Sequence, residues 1–301
     1  MKKRTEELIN AFTKENPGVE AIVLYQNGET VIEHRFVPKK PRLIYSHTKS
    51  FISTAVGMAI DAGKLKLDDK FIDLYPEYES VITDENVKKI ELRHFLTMSS
   101  GFGQAFLMDN GRREGEGFPD CVAYMLSKPL QNTPGEKFVY SNADTHMAGY
   151  MAQRALGEPL LKFCYKNLFS KLGIGFPVWE TDANGTAFGG SGLYLDITDM
   201  MKLGILYLNK GVWNGEQIVS SEWVEQATKR HIEAWGPKPW SRSYGYQFWM
   251  VEQRPNAYRA DGAYGQLSIV LPEDNAVLAT QCSEQNDTAK FVEMLQKYAI
   301  D

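Results

Sequence analysis

The 301-residue chain predicts an α/β (α+β) fold in which the N- and C-terminal segments build one antiparallel sheet, helices flank it, and a mostly helical domain is inserted between them. Three observations carry this. Residues 19–36 alternate around Asn27-Gly28, the dipeptide a tight hairpin turn prefers. Short aromatic and aliphatic runs return only after about residue 244, separated by turn formers such as Pro255-Asn256 and Pro272-Glu273-Asp274-Asn275. Between the two, helical periodicities dominate and are broken by Pro76, Gly101, Gly103, Pro119, Pro134-Gly135 and Pro159. The expected division is a discontinuous sheet domain of residues 1–64 and 191–301 and an inserted helical domain of residues 65–190.

Each element follows from its pattern. Leu8, Ile9 and Phe12 space an amphipathic N-terminal helix, and the basic start Met1-Lys2-Lys3-Arg4 is not followed by the continuous apolar run of a signal peptide. After the hairpin, Phe51, Ile52, Ala55, Val56, Ala59 and Ile60 recur at helical period until Gly63 stops the helix. Residues 197–208 and 220–229 read as two further helices, the second capped by Ser220 or Ser221 with Glu222 in its first turn. Strands follow over 244–251, 257–261, 266–271 and 276–281, and a closing helix spans about 286–299.

Composition narrows the function classes. With 43% hydrophobic and 12% aromatic residues the chain has ample material for a core. A formal charge of −5 and the lack of long basic blocks argue against nucleic-acid or anionic-membrane partners. Cys121, Cys164 and Cys282 are widely spaced and without CxxC patterning, so they read as reduced structural thiols of a cytoplasmic protein. His34, His94, His146 and His231 form no HExxH or HxH pattern, and no metal or cofactor is expected.

The chemistry concentrates at Ser46-His47-Thr48-Lys49, which sets a hydroxyl and an amine one turn apart at the head of an apolar helix. Ser46 is expected near the N-cap. A lysine in a first turn opposes the helix dipole, and an apolar wall desolvates it; both favour the neutral amine that accepts a proton from serine. The plain alternative is a capping serine beside a solvated lysine. His47 projects about a third of a turn from Ser46 and reads as a solvent or interface residue. Tyr140-Ser141-Asn142 adds a phenol and an amide in one loop; the same Tyr-x-Asn spacing at Tyr25, Tyr165 and Tyr207 falls in a hairpin turn and in helices. In Ala260-Asp261-Gly262-Ala263-Tyr264-Gly265-Gln266, small residues interrupt a strand-like run and let a substrate approach the backbone. The Ser46 N–H at a helix start and the Ala263 N–H on an edge strand then suit an oxyanion hole, where losing a donor costs roughly 10²–10³ in rate. Residues 104–119, with Arg112 and Arg113, read as a surface loop or a lid, and Trp235, Trp240, Tyr244 and Trp249 as an aromatic wall or plain packing, the segment between them being looped by Pro237 and Pro239.

Taken together with Leu92–Gly101, Pro134–Asn142, Gly189-Gly190-Ser191-Gly192-Leu193, Asp199–Lys202 and Gly211–Gly215, these segments resemble, in family order, the serine β-lactamase-like superfamily, in its class C and penicillin-binding-protein-related branch of esterases, peptidases and β-lactamases. The resemblance implies a Ser46 acyl-enzyme, with Lys49 and Tyr140 sharing base and acid work and Asn142 orienting the lysine or a substrate amide. It assigns Gly262 as the small residue of the third motif and Ala263 as an oxyanion donor. Ala260 departs from the pattern, because β-lactamases and transpeptidases of the superfamily carry a lysine or histidine there to hold a substrate carboxylate. The implied function is a carboxylesterase-like serine hydrolase of small acyl esters or amides, with a small-molecule substrate and neither nucleic acid nor membrane as partner. A weak β-lactamase or D-amino-acid peptidase is the alternative, and a penicillin-binding or ligand-sensing module without turnover is the reading from another class.

Overall fold

The computed structural model describes residues 1–236 and 238–300. Helix α1 (Lys2–Glu15) buries Leu8 and Phe12 and ends at Asn16 in the left-handed region. Strands β1 (Val19–Gln26) and β2 (Glu29–Arg35) form the expected hairpin; Asn27 (φ 54°) and Gly28 (φ 93°) both take the positive φ that a type I′ turn demands. Helix α2 (Thr48–Asp61) closes ahead of Gly63 (φ 67°). The 65–190 segment carries short helices and 3₁₀ turns before the long helix α3 (Asn142–Leu156). Then come α4 (Ile197–Leu208), α5 (Ser221–Ala227, capped by the Ser220 hydroxyl), strands β3 (Ile232–Glu233), β4 (Ser243–Tyr244), β5 (Trp249–Met250), β6 (Tyr258–Gly262), β7 (Gln266–Leu271) and β8 (Ala276–Cys282), and finally α6 (Thr288–Leu295). No helix among the described residues is long and apolar enough to cross a membrane.

The eight strands form one antiparallel sheet in the order β2-β1-β8-β7-β6-β5-β4-β3, so the N-terminal hairpin joins the C-terminal strands through β1 and β8, as the sequence pattern predicts. Strand alternation sorts the side chains. Ile22, Leu24, Ile269 and Leu278 pack with Leu8, Phe12 and Phe291 under the two terminal helices, while Val23, Val270, Val277 and Ala279 join the larger core with α2, α3 and α4. That larger core continues through Phe71, Phe95, Met125 and Phe169 of the helical segment. Because β1 is covered on both faces, residues 19–24 are all buried, a departure from the alternation expected over 19–36.

Two expectations are corrected. The run 244–251 is not one strand: β4 and β5 are two residues each, and the chain reverses between them through Gln247 (φ 66°), with the Gly245 N–H bonded to the Phe248 carbonyl. The side chain of Gln247 faces inward, accepting from the Thr145 hydroxyl at 2.7 Å and donating to the Phe95 and Leu96 carbonyls. The third-motif strand β6 is also not an edge; it lies between β5 and β7. Pro237 lies outside the described residues, so of the two prolines invoked for the loop before β4 only Pro239 is described.

The serine segment is fixed by close contact with this sheet. Tyr45–His47 forms a 3₁₀ turn that runs into α2, and an added Cβ at Gly262 would meet the Ile44 carbonyl oxygen at 2.1 Å and the His47 nitrogen at 3.2 Å. Only glycine allows that approach. Gly262→Ala is therefore expected to cost about 1–3 kcal/mol by overpacking, seen as a lowered thermal midpoint, whereas Gly175→Ala, with nothing within 4 Å of its Cβ, leaves the midpoint in place. An unchanged midpoint for Gly262→Ala would refute the contact.

Candidate active site

Because the 3₁₀ turn is continuous with α2, the helix takes His47 as its N-cap and the Ser46 hydroxyl caps nothing. This differs from the N-cap expected for Ser46 and leaves its oxygen to Lys49, whose Nζ lies 3.0 Å from Ser46 Oγ. Lys49 is only 1% exposed, and its ammonium loses most of its hydration there. Burial pushes its pKa down to about 7, with the Asp109 carboxylate opposing. A substantial fraction of the amine is therefore neutral at neutral pH.

Two fixed acceptors take the remaining valences of that nitrogen: Asn142 Oδ1 and the Gly190 carbonyl. Asn142 opens α3, and its amide is oriented by donating to the Leu107 carbonyl at 3.0 Å, which aims Oδ1 at the lysine. The Gly189-Gly190 segment lies hard against α3; an added Cβ would meet the Thr145 carbonyl oxygen at 2.7 Å from Gly189 and Asn142 Cβ at 2.5 Å from Gly190. Tyr140, two residues before Asn142, brings its ring to 5.0 Å from Lys49 Nζ. Burial pushes the Tyr140 phenol well above its ordinary value, with the Ser46 hydroxyl the first opposing influence. The same desolvation thus favours the neutral form of both the amine and the phenol.

Ser46, Tyr140, Gly262 and Ala263 line one cavity of about 540 Å³. Trp235, Trp240 and Trp249 form much of its wall, as one reading of the sequence has it, while Tyr244 is buried behind them against Tyr140 and Trp249. Ala263 and Tyr264 turn away from the end of β6 in a 3₁₀ bend, with Tyr264 at φ 62°, so the Ala263 amide lies past the strand end instead of on a sheet edge. Ala260 is buried in the core. Arg259, on the opposite face of β6, lines the cavity, stacks on Trp240 at 3.9 Å, and donates from Nε to Asp261 at 2.7 Å and from Nη1 to the Trp240 carbonyl at 2.7 Å.

Other side chains depart from expectation. His47 is fully buried, with Nε2 2.9 Å from Ser268 Oγ, because the 3₁₀ turn rotates it toward β7 and away from solvent. The arginines of the 104–119 segment point elsewhere: Arg112 pairs with Glu180 and stacks on Phe188, and Arg113 lines a separate depression with Arg42 and Glu284. From that segment only Ala105 and Met108 reach the serine cavity. Cys121, Cys164 and Cys282 are buried and unpaired. Cys121, His146 and Asp182 bring potential ligand atoms within 4.8 Å of one another. Here the Gly189 N–H points at His146 Nδ1 (3.2 Å), so Nε2 carries the proton it gives Asp182 (3.1 Å), and neither nitrogen offers a metal its lone pair. Sequence reasoning missed the Gly190 carbonyl as a partner of Lys49, since a backbone acceptor leaves no residue-type signal beyond the glycine pair.

The Beta-lactamase family model matches residues 5–299. The 6-aminohexanoate-dimer hydrolase of Paenarthrobacter ureafaciens is 22% identical over 283 residues, covering 86% of this chain and 71% of the relative. Among solved structures, EstCE1, a hydrolase with promiscuous acyltransferase activity, superposes with a TM-score of 0.76 at 17% identity over 99% of this chain and 98% of its own. A family VIII carboxylesterase gives 0.76 at 16% identity over 98% and 96%. These likenesses carry the fold, and the family match over nearly the whole length carries the assignment: the chain belongs to the Beta-lactamase family.

Proposed function

We propose that this protein is a serine hydrolase that cleaves a carboxylic ester, or a related amide, of a small molecule through a Ser46 acyl-enzyme. The observation that carries the reading is the valence count at Lys49. A neutral amine has two N–H groups and one lone pair; Asn142 Oδ1 and the Gly190 carbonyl take the hydrogens, so the lone pair is left facing Ser46 Oγ at 3.0 Å. Lys49 is then the base that removes the Ser46 proton as Oγ attacks the carbonyl carbon. Tyr140, kept as a neutral phenol, is the acid that protonates the leaving oxygen or nitrogen, and the Ser46 and Ala263 amides receive the oxyanion. Water attacks the acyl carbonyl in the second half, with the same groups returning the protons.

The cavity supports an uncharged acyl or leaving group. Its walls are largely indole and phenyl surface, the Ala260 position carries no cation, and the Arg259 guanidinium is already paired with Asp261. That disfavours the β-lactamase and peptidase alternatives, which require a grip on a carboxylate. The likeness to a 6-aminohexanoate-dimer hydrolase and to a family VIII carboxylesterase supports a hydrolase reading. Three buried free thiols suit a reducing compartment such as the cytoplasm.

Incubation with 4-nitrophenyl butyrate, a chromogenic cephalosporin and a fluorophosphonate probe tests the proposal. Ester turnover with Ser46 labelling is expected, and cephalosporin turnover is expected to be far slower; labelling without turnover of any ester would point to a sensor or trap, and neither would point to a scaffold. Ser46→Ala should abolish both signals, and Tyr140→Phe should fold normally and lose roughly 10²–10⁴ in kcat. Full ester activity in either variant would refute its role.

The pH profile has a definite sign. Because Lys49 must be neutral and titrates at about 7, kcat/KM should rise with pH through about 7 and level off above it. Asp144, buried with Ser100, is also pushed up to about 7 but lies apart from Ser46, so Asp144→Asn should leave this limb in place. A limb that moves with Asp144 and not with Lys49 would refute the assignment.

A further inference from the structure

Gly189 and Gly190 have no side chains, so only hydrogen bonds and close contacts orient their peptide planes. One of those planes carries the carbonyl that Lys49 uses. Two peptide planes earlier, the Gly189 N–H donates to Nδ1 of His146 at 3.2 Å, and between the two the backbone is pressed on α3 by the close contacts of both glycines with Thr145, His146 and Asn142. His146 lies one helical turn beyond Asn142 on α3, on the same face, and Tyr150 lies one turn beyond that. His146 Nε2 and the Tyr150 hydroxyl both donate to Asp182 Oδ2, and Asp182 Oδ1 accepts the Asn184 and Thr186 backbone N–H groups at 3.0 and 2.9 Å. Burial raises the Asp182 pKa, but the bonds from His146 and Tyr150 outweigh it and hold the carboxyl at about 2, so Asp182 is an anion throughout the working range.

The geometry points to His146 and Asp182 as a positioning pair for the base: Asp182 fixes the imidazole tautomer that leaves Nδ1 as an acceptor, Nδ1 holds the Gly189 N–H, and the Gly190 carbonyl is thereby kept on Lys49. Neither residue touches Ser46 or the substrate cavity; they act through two glycines. The inference rests on Lys49 being the proposed base. A single helix thus serves both acceptors of the amine, Asn142 directly and Gly190 through His146. The groups facing Lys49 are Ser46, Tyr140, Asn142 and the Asp109 carboxylate, and those facing His146 are Asp182, Tyr150 and Cys121, with Phe188 stacked on the ring.

The consequence has a sign. A carbonyl bound to an amine stabilises the ammonium more than the free base. Loosening Gly190 therefore lowers the proton affinity of Lys49 while it releases the lone pair from its aim at Ser46. The acid limb moves to lower pH as the plateau rate falls, a combination that simple loss of folded protein does not produce.

The test is the pH dependence of Ser46 labelling by a fluorophosphonate probe, which needs no knowledge of the natural substrate. His146→Asn keeps an oxygen where Nδ1 stands and should retain the wild-type limb. His146→Gln keeps an amide near Nε2 but nothing for the Gly189 N–H, and should shift the limb down by about one pH unit with a plateau roughly 10- to 100-fold lower. Asp182→Asn leaves the imidazole in place; the Asn184 and Thr186 N–H groups orient the new amide so that its NH₂ faces Nε2, forcing the other tautomer, and it should shift the limb in the same direction even if His146→Gln fails to fold. Limbs that coincide with wild type in His146→Gln and Asp182→Asn, whatever their plateaus, would overturn the inference. Labelling of Lys49→Met at the wild-type rate and pH dependence would instead overturn the reading of Lys49 on which it rests.

Discussion

Burying the amine of Lys49 is the constraint from which the rest of the site follows. An ammonium with 1% of its surface exposed has lost its water, and the opposing Asp109 carboxylate does not restore the ordinary pKa. Desolvation has no preferred chemistry. It penalises whichever form is charged, so in the same pocket it lowers the proton affinity of an amine and raises that of a phenol. In the proposed mechanism, one physical effect thus supplies both the neutral base and the neutral acid. A polar or open pocket would have left Lys49 an ammonium, unable to take a proton from serine.

That burial is costly, and the architecture shows where it is supported. Helix α2 is buried along most of its length, with Phe51, Ile52, Ala55, Val56 and Ala59 in the core, so its first turn cannot swing outward to rehydrate the lysine. Helix α3 packs on α2 and brings Asn142 to the amine, and the Gly189-Gly190 segment is pressed onto α3 with no room for a methyl group. From the other side, β6 closes on the serine turn at Gly262. The oxygen of Ser46 and the nitrogen of Lys49 are thus set by three separate elements meeting at glycine contacts, a tolerance that loops alone do not reach.

The elements whose signals are local were legible. Asn27-Gly28 specifies its turn because both residues take positive φ, and the two terminal segments pair through β1 and β8, the strands whose residues are buried almost throughout. Ser46, Lys49 and Tyr140 were legible as residue types at a spacing, and the fold brings them together. The failures share a cause. His47 stands about a third of a turn from Ser46, as its spacing predicts, but that side is covered by β7 and not by solvent or an interface, so its ring meets Ser268. The run 244–251 has strand composition throughout, yet Gln247 is recruited to bond the Phe95 and Leu96 carbonyls, and the strand breaks there. The Gly190 carbonyl has no signature beyond its glycine pair, because a backbone acceptor is present at every residue. Position relative to a distant element is what composition and period leave out.

The third motif shows how far a one-residue displacement matters in a strand. Along β6 successive side chains face opposite ways, so Tyr258 and Ala260 enter the core while Arg259 and Asp261 face the cavity. A cation at 259 therefore does not replace one missing at 260. It stands on the other face, held over Trp240 and against Asp261, with its Nη1 on the Trp240 and Met250 carbonyls. So arranged, the guanidinium fixes the indole wall in place, and its charge is offset within the strand that carries it. A substrate carboxylate would have to compete with Asp261 for it, whereas an uncharged apolar group meets only the aromatic faces that Arg259 holds in position. The difference between gripping an anion and shaping a neutral pocket is here a matter of strand parity.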